Sequence, residues 1–248
     1  MRAFLLQLIV FLSPFLFFIF CGFLNFYTYK KQVPELENPN ILIIGDSQIL
    51  NSINPNLLMN AQNISQTAEP YFLSYWKIKK ILKSYKPDTI IIGFSPHNIS
   101  AYNDYKLTTP LWASEMFKRC YPIHNLSAID SMIEVNYTSY YRTLIKQIAF
   151  FPKNNHIHYI GKFEKKINKK NNLNTWESPV NRHFYRKNIE VGISQLSINY
   201  LDSMISICKL NNITPILLRS PVHKFYQENI PDKILQSYEN TKIKYQKI

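Results

Sequence analysis

Ile41-Leu42-Ile43-Ile44-Gly45-Asp46-Ser47 is the stretch from which the fold is read. A four-residue apolar run ends on a glycine, and an acid and a serine follow at once. A short apolar run bounded by turn residues reads as a buried strand of a parallel sheet. Gly45 is expected to let the backbone turn sharply at the carboxyl end of that strand. That end is where open α/β sheets bind ligands. Ser47 then stands at the rim of a cleft, where a hydroxyl can act as a nucleophile. The same three residues are also ordinary turn formers, so a plain Gly-Asp-Ser turn is the rival reading.

The pattern repeats along the chain. Thr89-Ile90-Ile91-Ile92-Gly93 is a second apolar run that ends on glycine. Between the two, residues 48–62 read as loop with one helical turn, and Ala61 to Ser65 as a short strand. Tyr71 to Tyr85 reads as a helix, because Phe72, Tyr75, Trp76, Ile78 and Leu82 recur at helical spacing with lysines between them. Lys86-Pro87-Asp88 stops it. Strand, helix and strand in this order make a right-handed crossover in a parallel sheet. Tyr185 to Leu210 reads as one long helix, and Ile213 to Leu218 as a further parallel strand. Residues 100–181 read as an insertion with short helices, and the remainder to Ile248 as a lysine-rich helix or tail. The expected fold is a three-layer α/β domain of the flavodoxin-like kind around a parallel sheet.

The chain has 248 residues, 46% of them hydrophobic, which suits one domain plus appendages. No charge lies between Arg2 and Lys30. That run exceeds the roughly 20 apolar residues needed to cross a bilayer. It is also longer than a cleaved signal core of about 7–15 residues. Residues 1–29 are therefore expected to be an uncleaved transmembrane anchor, kinked at Pro14, with Tyr27 and Tyr29 at the interface. Residues 30–40 form a polar linker and 41–248 the domain. The flanking charges are nearly balanced, and the domain is placed outside the cytoplasm, on the periplasmic or extracellular face.

The formal charge is +13. Lysines concentrate at Lys162 to Lys170 and from Lys233 to Lys247, runs that are solvated faces or attract anionic lipid or an acidic polymer. No nucleic-acid recognition motif is present. Cys21, Cys120 and Cys208 read as free thiols. His156-x-His158 has no further ligands around it, so no metal is expected.

Three strand ends reach one edge of the expected sheet: Gly45 to Ser47, Gly93 to Asn98 (GFSPHN), and Ser220 to His223. They bring a serine, an amide and histidines together, the groups that serine acyl transfer requires. Here the chain resembles the SGNH/GDSL hydrolase superfamily. It looks closest to the membrane-anchored, alginate-O-acetylation-like branch of bacterial cell envelopes. The resemblance covers roughly residues 40–248 and is strongest over 41–98.

The resemblance implies that Gly45-Asp46-Ser47 is the first block, with Ser47 as nucleophile and its N–H as one oxyanion donor. At the second block Ser65-Gln66-Thr67 lacks the family's glycine. At the third, Gly93 matches, Ser95 stands where asparagine is usual, and Asn98 either supplies the amide from a longer turn or caps a turn. His97 contacts substrate or simply sits on the loop. No Asp-x-x-His block exists, and His223 has Ser220 at the aspartate position. Two readings follow: the chain ends before that block, or His223 serves in a reduced dyad. The implied activity is that of a serine esterase or O-acyltransferase. It acts without cofactor on O-acyl groups, acetyl foremost, of a cell-envelope polysaccharide, with a membrane-bound O-acyltransferase as partner. The alternative is an inactive envelope protein that keeps the fold to bind glycan or that partner.

Overall fold

The computed structural model describes residues 2–32, 36–120, 136–143, 145–146, 159–163 and 177–246. His156, His158 and most of the basic run after Lys162 lie outside them. The chain divides into two units, one of Met1–Glu35 with Leu107–Tyr159, the other of Leu36–Lys106 with Ile160–Ile248.

The second unit is built on four parallel strands, β1 (Ile41–Ile44), β2 (Ala61–Asn63), β3 (Thr89–Gly93) and β6 (Thr214–Leu218), in the order β2-β1-β3-β6. Leu42 faces Gln62 on one side and Ile90 on the other, and Ile90 faces Pro215. The apolar runs form strands because β-branched residues fit a surface covered on both faces. Leu42, Ile43, Ile44, Ile90 and Ile92 are fully buried. Helices α3 (Tyr71–Ile81) and α7 (Gln195–Leu210) pack together, with the Phe72 ring edge-on to Tyr200 at 5.2 Å. This is an α/β arrangement, a parallel sheet flanked by helices.

The glycines at the strand ends have a different role from the one expected. Neither Gly45 nor Gly93 has a positive φ. Instead the first turn of α2 (Ser47–Ser52) lays Ile49 across both strand ends. A Cβ on Gly45 would meet Ile49 Cγ1 at 2.8 Å, and a Cβ on Gly93 would meet it at 2.3 Å. The constraint is room for a buried, β-branched side chain, not turn conformation.

The long helix expected from Tyr185 is a correction. Residues 185–194 instead form a hairpin of β4 (Tyr185–Arg186) and β5 (Ile189–Glu190), and α7 begins only after its cap at Ser194. Lys187 and Asn188 both have positive φ, the pattern of a two-residue hairpin turn. Helices α4 (Tyr102–Thr108), α5 (Pro110–Cys120) and α6 (Glu177–Phe184) precede the hairpin, and the chain between α5 and α6 is described only in part. The lysine-rich C-terminal stretch is two packed helices, α8 (Lys224–Glu228) and α9 (Asp232–Gln246). Ile234 and Tyr238 of α9 are buried, and the Tyr238 ring stacks on Phe94 at 4.5 Å.

Lys77, one of the lysines of α3, is buried. Its ammonium binds Glu69 at 2.6 Å and donates to the Ile64 and Ile160 carbonyls, each at 2.9 Å. It clamps the 64–69 loop beside β1, where Gln66 N–H donates to the Gly45 carbonyl. Cys208 is a free thiol that burial pushes up to about 12, so it is unreactive at neutral pH.

In the first unit, α1 (Arg2–Gln32) includes a 24-residue stretch, Arg2–Asn25, apolar and long enough to cross a membrane. α5 (Pro110–Cys120) and a helical segment at 136–143 belong to the same unit, with Phe117 edge-on to Tyr140 at 5.6 Å.

Gly93→Ala is expected to destabilise the protein by about 1–3 kcal/mol, because the added methyl overpacks Ile49. The Gly93→Ala/Ile49→Ala pair should cost less than the sum of the single changes, since truncating Ile49 makes the space. Thermal unfolding of the detergent-solubilised chain measures both. Additive losses would mean that Ile49 does not set the glycine requirement.

Candidate active site

The site grows from the carboxyl ends of β1 and β3. Asp46 is the N-cap of α2, and its Oδ1 accepts from Gln48 N–H at 2.8 Å. Its Oδ2 is held by His97 Nε2 and by Asn98 Nδ2, the latter at 3.0 Å. His97 and Asn98 belong to a 3-10 turn, Pro96–Ile99, that follows β3. Ser95 and Asn98 cap that turn reciprocally, with Ser95 N–H donating to Asn98 Oδ1 at 2.8 Å. Asp46, His97 and Asn98 are all buried. Burial by itself raises a carboxyl pKa. Here the His97 charge and hydrogen bond, the Gln48 N–H and the more distant Lys106 outweigh burial, and Asp46 is held well below the usual carboxylate range.

The His97 ring stacks on His183 of α6, with centroids 4.7 Å apart and planes 18° apart. His97 Nδ1 is buried without a hydrogen-bond partner among the described residues. The Nδ1 of His183 is 2.7 Å from the Tyr226 hydroxyl of α8. Burial foremost, then the positive neighbours His97, Arg182 and Lys106, depress the His183 pKa to about 2, with Asp46 opposing weakly. The ring is neutral at any physiological pH.

Ser47 stands one residue beyond Asp46, at the wall of a cleft of about 490 Å³. His183, Arg182, Tyr226, Ser220 and His223 line the same cleft. The Ser47 hydroxyl makes no hydrogen bond among the described residues, while its carbonyl accepts from Asn51 Nδ2. Ser220 and Ser52 share a hydrogen bond of 2.8 Å across the cleft floor. The arrangement joins a rim hydroxyl, two imidazoles and a guanidinium, a set able to activate a nucleophile and to meet an oxyanion.

Of the residues singled out in the sequence, Ser47 and His223 do meet in this cleft. His223 is the N-cap of α8, and its Nδ1 accepts from Phe225 N–H at 3.2 Å. Gly45 and Gly93 lie beneath Ile49, and the Gly93 carbonyl accepts from the Tyr71 hydroxyl at 2.7 Å. Ser95 Oγ donates to Gln48 Oε1 at 3.1 Å. His97 and Asn98 sit behind the cleft, where they hold Asp46 instead of lining the wall. Asn98 thereby takes the cap role that stood as the alternative to an oxyanion amide. Sequence reading missed His183 and Tyr226. Their only signal is a histidine amid aromatic residues in Arg182-His183-Phe184-Tyr185, and the long separation from Tyr226 hides the pairing. Among the described residues no group of side chains has the makings of a metal site.

Comparison with protein-family models, with curated proteins and with solved structures finds no match to this chain.

The depressed His183 pKa has a consequence for stability. Between about pH 6.5 and pH 2 the unfolded ring binds a proton that the native ring does not. This group therefore costs stability increasingly as pH falls below about 6.5. In a histidine NMR titration of the micelle-bound chain, one ring signal should stay at its neutral position from pH 8 to pH 4. His183→Gln should remove that signal. Titration of every ring between pH 6 and 7 would contradict the assignment.

Proposed function

We propose that the protein is an SGNH-like serine esterase or O-acyltransferase, anchored in a membrane by α1. The reading places the sheet domain outside the cytoplasm, on an O-acylated cell-envelope polysaccharide. The observation that carries it is the convergence of Ser47 with His183 and His223 on one cleft at the carboxyl edge of a parallel sheet. Strand ends of this kind are where α/β folds present reacting groups. The sequence resemblance at Gly45-Asp46-Ser47 supports the same nucleophile.

In this mechanism Ser47 Oγ attacks the carbonyl carbon of a bound ester. His183 takes the hydroxyl proton on Nε2, while its Nδ1–H is held by the Tyr226 oxygen. The new Oγ–C bond leaves an oxyanion, which this mechanism assigns to the Ser47 N–H and the Arg182 guanidinium at the cleft wall. Collapse breaks the C–O bond to the sugar, whose oxygen takes the proton back from His183. Water or an acceptor hydroxyl then attacks the acyl-Ser47 ester and releases the acid or a new ester. The imidazolium forms beside Arg182 and Lys106, so the proton transfer is uphill and turnover is slow. A membrane-bound O-acyltransferase is the partner that this reading assigns as acyl source.

One observation favours the second reading, an inactive protein that binds glycan or the acyltransferase. His183 is held by a phenol, and the Asp46 carboxylate that could orient a base is engaged with His97, Asn98 and Gln48.

Hydrolysis of p-nitrophenyl acetate by the detergent-solubilised chain separates the two. Under the enzymatic reading Ser47→Ala abolishes turnover with the fold retained, and His183→Ala lowers it by about 10²-fold or more. Because His183 is neutral down to about pH 2, the rate should not fall between pH 8 and pH 5. A half-loss near pH 6.5 would assign the base to another ring. Ser47→Ala turnover equal to that of the unaltered chain would leave the binding reading.

A further inference from the structure

The four-stranded sheet ends at β6, so one side of that strand has no sheet neighbour. Thr214 N–H donates to the Asp88 carbonyl at 2.9 Å, and the Leu218 carbonyl accepts from Phe94 N–H at 2.8 Å. Backbone direction alternates along a strand. Thr214, Ile216 and Leu218 therefore turn their polar groups toward β3, and Pro215 and Leu217 turn theirs toward the free side. Pro215 has no N–H to give there. A proline at that place suits an edge and discourages a further strand from pairing with it.

A second cleft of about 490 Å³ follows this edge and shares no lining residue with the Ser47 cleft. Small-molecule sites have volumes of about 300–1,000 Å³. Its apolar wall is Pro215 and Leu217 of the strand, Ile205 of α7, and the stacked rings of Phe94 and Tyr238. All of these belong to the sheet unit.

The charged groups of this cleft are of one sign. Lys209, Arg219 and Lys242 line it, and no carboxylate does. The acids close by are engaged with other groups or with one of these lysines. Glu239 pairs with Lys242 at 3.1 Å, and Asp202 with Lys244 at 2.6 Å and with the Tyr245 hydroxyl. Lys209 and Arg219 have no ion-pair partner among the described residues. Arg219 is half-buried against neutral groups, the Gln227 amide and the Tyr238 ring, whose centroid is 5.3 Å away. A half-buried guanidinium without a counter-ion, at the end of an apolar wall, is complementary to an oxyanion on an apolar body.

We propose that the cleft along β6 binds a small amphiphilic anion, an unbranched acyl carboxylate. The carboxylate pairs with Arg219, the chain lies along Leu217, Pro215 and Ile205, and Lys209 and Lys242 add attraction. The edge proline sets this occupant apart from an added peptide strand, and the unmatched positive charge sets it apart from a neutral chain. The proposal is independent of whether Ser47 is catalytic.

The test uses the full chain in phosphatidylcholine nanodiscs with decanoate that carries a photoreactive diazirine near its methyl end. Mass spectrometry maps the label after irradiation. The expected result is label on the peptides that contain β6 and Tyr238 of α9, competed away by excess decanoate and not by decanol. Arg219→Gln should lower that label by about tenfold, the loss of one charge-assisted hydrogen bond. Lys209→Gln, an exposed change that leaves the packing intact, should lower it by about twofold. Thermal unfolding checks that each variant is folded, and Lys209→Gln decides where Arg219→Gln is not. Label found only outside these two peptides would overturn the site. Equal competition by decanol, or label unchanged by the charge removals in folded variants, would overturn the anion as its ligand.

Discussion

A single buried carboxylate joins the ends of two strands. Asp46 accepts from the α2 backbone with one oxygen and from His97 and Asn98 with the other. Taking a carboxylate out of water is costly, and it is tolerated where every lone pair has a partner. Each partner here also sets something else. The Gln48 N–H starts the helix that carries Ser47, and His97 presents a ring face to His183. Asn98 closes the turn after β3. Loss of the carboxylate would release the helix start, the turn and the imidazole stack at once. Breaking such a pair from one side typically costs about 3–5 kcal/mol, because the other charge stays buried.

Beneath that carboxylate the packing is equally constrained. Ile49 fills the space above Gly45 and Gly93, so the height and tilt of α2 follow from the two strand ends together. On the far side of β1, the Lys77–Glu69 pair fixes the 64–69 loop against the Gly45 carbonyl. Ser47 is thereby held by neighbours on β1, β3 and the loop after β2, while its own hydroxyl makes no hydrogen bond among the described residues. The polarity of the sheet does the rest. It puts Ser47 at the carboxyl edge and the entry to β1 at the amino edge.

What the sequence reveals is what local pattern can carry. The strands at Ile41–Ile44, Thr89–Gly93 and Thr214–Leu218 are legible because short apolar runs with turn residues behind them have few other uses. The apolar N-terminal helix is legible for the same reason. The hairpin after Phe184 is not, since Ile189 and Ile193 continue a helical spacing and Lys187-Asn188 is not a strong turn pair. Lys77 shows the limit from the other side. At helical spacing it belongs among solvated lysines, yet Glu69 and two carbonyls bury it. Within the site, Ser47 and His223 could be placed from strand ends. The role of Asp46 as a clamp, and the arrival of His183 with Tyr226 behind it, depend on contacts between residues far apart in the chain. Gly45 and Gly93 were legible as required glycines and misread in cause, because steric room and turn conformation leave the same residue in the sequence.

The central claim is that Ser47 is a nucleophile activated in the cleft it shares with His183. A fluorophosphonate reacts only with a serine that is so activated, and mass spectrometry locates its adduct. The account predicts a phosphonyl adduct on the peptide containing Ser47, lost in Ser47→Ala and strongly slowed in His183→Ala. A folded, full-length chain that takes up no adduct at Ser47 would contradict it.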